Sequence, residues 1–97
     1  MQVLSIAASS LTAAASATAI RANNIVNVAT PEFKASAPVY NSIPNGGVAV
    51  SAQEINQPAN LVLDIIGLRS ALQQYKAAAT LVDAGSDMNK ALLDSVA

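Results

Sequence analysis

Leu61-Val62-Leu63-Asp64-Ile65-Ile66-Gly67-Leu68-Arg69-Ser70-Ala71-Leu72-Gln73-Gln74-Tyr75-Lys76-Ala77-Ala78-Ala79 opens the most regular segment of the chain. Its apolar residues recur at alternating steps of four and three, and the pattern runs on to the end of the chain. The row is Leu61, Ile65, Leu68, Leu72, Tyr75, Ala79, Val82, Ser86, Asn89, Leu93 and Val96. Such spacing holds one stripe of side chains on one side of a helix. A second row through Leu81, Met88 and Leu92 widens the apolar face, as expected of a helix that touches more than one neighbour. The spacing predicts a helix over 59–96, with Asn60 capping its start or Pro58 occupying its first turn.

Two glycines interrupt this helix, each costing about 1 kcal/mol in a helix interior. Gly67 and Gly85 lie five helical turns apart and so share a face, and Ala71 and Ala78 fall on the same stripe. The stripe reads either as a groove that admits a neighbouring helix backbone, or as a helix that breaks near Gly85 and restarts with Ser86 as its cap.

Residues 3–29 carry the same 4-3 alternation: Leu4, Ala8, Leu11, Ala15, Thr18, Ala22, Ile25 and Ala29. Large residues alternate mostly with small ones, so a partner helix is expected to come close. Ser5, Ser9, Ser10, Thr12, Ser16 and Thr18 each cost up to about half a kcal/mol of helix propensity relative to Ala. Such a helix is marginal alone in water and is expected to order mainly when packed.

Residues 30–58 hold all four prolines, Pro31, Pro38, Pro44 and Pro58. Pro44-Asn45-Gly46-Gly47 is a turn signal between Val39-Tyr40-Asn41-Ser42-Ile43 and Val48-Ala49-Val50-Ser51. This middle segment reads as irregular or as a short β-hairpin with Asn-Gly at the bend. The fold class that follows is mostly α: one domain over 1–97, with two long terminal helices packed as an antiparallel hairpin or coiled coil around that middle.

Composition narrows function. Of 97 residues 53% are hydrophobic, but Ala accounts for 21 of them, which suits close helix packing more than a thick core. Five basic residues against six acidic ones leave no basic patch for nucleic acid, and 3% aromatic content leaves no base-stacking platform. With no His and no Cys, the commonest general base, metal ligand and thiolate are missing. The serines lack a base or a strand–turn–helix elbow, and Gly46-Gly47 lacks the Lys and Ser/Thr of a phosphate loop. Asp83 and Asp87 are i,i+4 neighbours beside Lys90 and read as a solvated helix face. No enzyme, cofactor, metal or small-molecule substrate is expected. No stretch is apolar enough to span a bilayer, so no membrane insertion is expected. Ala17-Thr18-Ala19 imitates a signal-peptidase site, but no Lys or Arg precedes Arg21 and Ser/Thr dilute the apolar region.

The most informative motif ends the first helix: Ala22-Asn23-Asn24-Ile25-Val26-Asn27-Val28-Ala29-Thr30-Pro31-Glu32-Phe33-Lys34. Asn amides satisfy exposed backbone groups at a helix end. Pro31 biases Thr30 away from helical geometry, and Phe33 is placed to fold back as an apolar anchor.

This string resembles the Asn-Asn-Ile-x-Asn-x-x-Thr-Pro-Gly-Phe/Tyr-Lys signature of bacterial flagellar rod and hook proteins. Asn23, Asn24, Ile25, Asn27, Thr30, Pro31, Phe33 and Lys34 match, and Leu4 to Ala14 is similar to the family's opening helix. Glu32 stands where the family usually has Gly, and a positive φ there would strain it. The last helix resembles the family's closing helix more loosely: Ala71, Tyr75, Ala77, Met88, Leu92 and Leu93 match, Asp87 replaces Glu, Gln73 replaces Arg and Gly85 replaces Ala.

The resemblance implies a short, proximal-rod-type subunit of the flagellar basal body. Such a subunit is exported by the type III apparatus without a cleaved signal peptide and assembles through its terminal helices into the periplasm-spanning rod. Its implied partners are further copies of itself, other rod and axial subunits, and the export apparatus. The assembly interface expected on this basis comprises Leu4, Leu11, Ile25, Leu61, Ile65, Gly67, Leu68, Ala71, Leu72, Tyr75, Ala78, Val82, Gly85, Met88, Leu92 and Leu93. A stand-alone helical-hairpin adaptor or export partner is the alternative.

Overall fold

In a computed structural model of the chain, residues 2–44 and 46–96 are described. The order of elements is α1 (Gln2–Val26), β1 (Ser36–Ser42), β2 (Val48–Glu54) and α2 (Leu61–Val96). The two helices pack antiparallel on each other, and the β-hairpin between them lies on α1. The molecule is a thin rod of 62 × 24 × 14 Å.

Both helices are shorter at their loop ends than the sequence pattern predicts. α1 stops at Val26 instead of Ala29. Asn27 turns back on the helix: its backbone N–H donates to the Asn23 carbonyl at 3.1 Å and its side-chain N–H to the same oxygen at 2.9 Å. Thr30 then closes the turn, donating from N to the Asn27 carbonyl and from Oγ1 to Asn27 Oδ1. α2 starts at Leu61 instead of Ala59 because Asn60 is the cap. Its Oδ1 accepts the Leu63 N–H at 3.1 Å and its carbonyl accepts the Asp64 N–H at 2.9 Å. Past that cap α2 is a single helix through Gly85 to Val96, so the break near Ser86 does not occur.

The seam between the helices is rotated from the expected one. On α1 the buried row is Ala7, Ala14, Ala17 and Asn24, while Ala8 and Ala15 are exposed and Leu4, Leu11, Thr18, Ala22 and Ile25 are half-buried beside it. Ala29 lies beyond the helix. On α2 the buried row is Asp64, Ala71 and Ala78, flanked by Gly67 and Gly85. Leu61, Ile65, Leu72, Tyr75, Ser86, Leu93 and Val96 of the expected seam stay exposed, whereas Leu68, Ala79, Val82 and Asn89 are half-buried. Small residues win the centre because they let the two backbones approach, which brings more atoms into dispersion contact than bulky side chains holding them apart.

The other side of α1 carries the hairpin. Ser9 donates to the Ile6 carbonyl, Thr12 to Ala8 and Thr18 to Ala14, so the helix itself satisfies them. Ser9 Oγ also accepts the Val48 N–H at 3.2 Å, pinning the start of β2. Gly47, at φ 113°, sits so close that a Cβ there would lie 2.8 Å from Ser9 Oγ. The hairpin is longer than the sequence suggests, running from Ser36↔Glu54 to Ser42↔Val48. Gly46, at φ 100°, donates to the Ile43 carbonyl to close the bend. Asn45, expected at the bend, lies outside the described residues.

Candidate functional site

Where α1, β1 and α2 meet, four residues form one polar cluster. Asn24 is 1% exposed and Asp64 3%. The Asn24 amide pairs with both backbone groups of Ser36: Nδ2 donates to the carbonyl at 2.7 Å, and Oδ1 accepts the N–H at 3.0 Å. The second hydrogen of Nδ2 is directed to Asp64 Oδ1 at 3.0 Å, and Arg21 donates to the same oxygen at 3.1 Å. Asp64 lies in the first turn of α2, where the helix dipole also favours a negative charge. Among the described residues every buried side-chain polar atom has a partner. A cleft beside the cluster is bordered by Gln57, Asn60 and Leu61. The cluster is structural: it fixes α2 and the hairpin to α1 at one point.

Composition and spacing gave no sign of Asp64 and Arg21. The available signal was a lone acid inside the apolar run Leu61–Leu68, which must be paired if that face is buried. The remaining motif residues divide by role. Asn27 and Thr30 make the turn, Ile25 and Phe33 are half-buried, and Asn23, Pro31 and Lys34 are exposed. Glu32 has φ 61°, so the residue that stands where the signature has Gly is left-handed in this chain.

The expected interface residues fall into two groups. Gly67, Ala71, Ala78 and Gly85 face α1 of the same chain: a Cβ on Gly67 would collide with the Arg21 guanidinium, and one on Gly85 would lie 3.2 Å from the Leu4 methyl. Leu11, Ile25, Leu68 and Val82 are half-buried. The second group points away. Leu61, Ile65, Leu72 and Tyr75 form one exposed flank of α2, and Leu63 and Leu81 lie on the other. Leu4 sits opposite Gly85, and among the described residues the last turns of α2 overhang α1, with Met88, Leu92, Leu93 and Val96 exposed.

Among the described residues no helix is long and apolar enough to cross a membrane. A scan against protein-family models finds no match to this chain, and a search of curated proteins finds none either.

Proposed function

We propose that this chain is a structural subunit of the bacterial flagellar basal-body rod, exported by the type III apparatus and built into the rod through α2. The observation that carries the reading is the surface of α2. Its small stripe is used up inside the protomer, while large apolar side chains remain uncovered on both flanks and on the overhang, with Leu63 at 60%, Ile66 at 60% and Leu93 at 65% exposure. Apolar surface of this extent marks an interaction site. A long thin protomer with apolar flanks suits lateral packing in a tube. The Asn24-containing motif and its left-handed Glu32 support the same family. The role is assembly, not catalysis.

The test is incorporation. Tagged wild-type chain should co-purify with basal bodies, and Leu93→Asp, altered on the overhang, should be lost from them. A wild-type chain absent from basal bodies would sink the reading.

One observation favours a second reading, a stand-alone adaptor or export partner. The Arg21–Asp64–Asn24–Ser36 cluster ties all three elements together within one chain, as a hairpin that works alone requires. Recovery of the chain as a soluble complex with an export component, and not in basal bodies, would select it.

A further inference from the structure

The two edges of the β-hairpin are unequal. Ile43 donates to the Gly47 carbonyl and Ile55 to the Ala35 carbonyl, so odd-numbered residues make the ladder bonds and even-numbered residues turn their N–H and C=O outward. On β1 the run of open outward groups is shorter. Both those of Ser36 are taken by the Asn24 amide and Pro38 has no N–H, which leaves Tyr40 and Ser42 open in full. On β2 only Val48 is taken, by Ser9. Val50, Ala52 and Glu54 present N–H and C=O groups with no partner among the described residues. The strand ends just beyond, where Asn56 turns left-handed at φ 50°.

The geometry points to the β2 edge as a pairing site for the β2 edge of a second copy, antiparallel and centred on Ala52. This goes beyond the rod reading and does not depend on it. The open groups of Val50, Ala52 and Glu54 are symmetric about Ala52, so two copies related by a two-fold axis satisfy each other. Ala52 then faces Ala52, and Glu54, the only charge on the strand, faces Val50 instead of its own copy. Ala49, Ser51 and Ala52 are small and exposed, so nothing bulky holds the backbones apart. A neighbour's β1 offers only Tyr40 and Ser42 in full, since Asn24 occupies Ser36 and Pro38 lacks its N–H, so β2 against β2 is the longer match.

The experiment is sedimentation equilibrium of the full chain over a range of concentrations. Ala52→Pro removes one outward donor from each copy and no ladder bond. It should raise the dimer dissociation constant by on the order of tenfold. Ser42→Pro, the same lesion on the β1 edge, should leave the constant unchanged. Slowed hydrogen exchange at Val39 and Ser51 shows that the hairpin persists in each variant. Should Ala52→Pro disturb it, Ala52→Lys puts two ammonium groups face to face at the axis with the backbone intact, and it too should weaken the dimer. In the wild type, exchange at Val50 and Ala52 should slow as concentration rises. A chain that stays monomeric overturns the proposal. So does a dimer indifferent to both Ala52 variants, or an edge protected only when a different protein is added.

Discussion

A side chain at position 67 would fill the space that Arg21 uses to reach Asp64: a Cβ built on Gly67 lies 2.8 Å from the Arg21 Cζ. The glycine costs helix propensity in α2, and what it permits is the Arg21 side chain passing close over the helix to end on a buried carboxylate. Gly67→Ala should gain about 1 kcal/mol of propensity. It should lose more, because displacing Arg21 removes a charged hydrogen bond of about 1.5–3 kcal/mol. The net expectation is destabilisation of about 1 kcal/mol in urea unfolding. In an Arg21→Ala background the clash is gone, so the same substitution should become stabilising. Absence of that sign reversal would disprove the fit.

Asn24→Ala should be among the costliest single changes in the chain. It strips the N–H and carbonyl of half-buried Ser36 and one donor from buried Asp64. Buried groups left unpaired cost about 1–3 kcal/mol each, so a loss of at least about 3 kcal/mol is expected by urea denaturation. Asn27→Ala, whose bonds are exposed to water, should cost under about 1 kcal/mol. Equal effects of the two would mean that the cluster does not hold the elements together.

Glu32→Gly should raise stability. A non-glycine residue held at φ 61° carries roughly 1–2 kcal/mol of strain. Glycine relieves it at an entropic cost of about 0.5–1 kcal/mol, so a net gain of up to about 1 kcal/mol is expected. Thermal melting by circular dichroism at equal concentrations checks the sign. A fall in Tm would show that Glu32 contributes a contact that outweighs its backbone strain.

The sequence made some of this legible and hid the rest for physical reasons. The hairpin was readable because Pro44 and two glycines leave the chain few ways to turn. The small stripe was readable because Gly67 and Gly85 are too unfavourable in a helix to be there without a steric reason. The seam on α1 was not. On so alanine-rich a helix the row Leu4–Leu11–Thr18 and the row Ala7–Ala14–Ala17 differ little in hydrophobicity, and the choice is made by how near α2 can come. The role of Asn24 was half legible. Its neighbour Asn27 does cap the helix, but the partners of Asn24 lie 12 and 40 residues away, where no local pattern reaches.

The rod and adaptor readings make opposite demands on the exposed flank of α2, and one pair of substitutions separates them. Leu92 and Leu93 lie beyond the end of α1 at 55% and 65% exposure, so neither contributes much to the fold of the monomer. Changing either to Asp should alter urea unfolding by no more than about 0.5 kcal/mol, the usual range for surface positions away from special features. If α2 is buried between subunits in a rod, the same changes place a carboxylate in a packed apolar contact. An unpaired charge there is costly, and every copy in the array carries it. Leu93→Asp should then abolish motility and remove the chain from basal bodies while the isolated protein melts as before. An adaptor that works as a single hairpin should tolerate it. Normal motility with Leu92→Asp and Leu93→Asp combined would remove the overhang from the assembly surface, whereas loss of folding in the isolated variant would mean that those turns pack within the protomer.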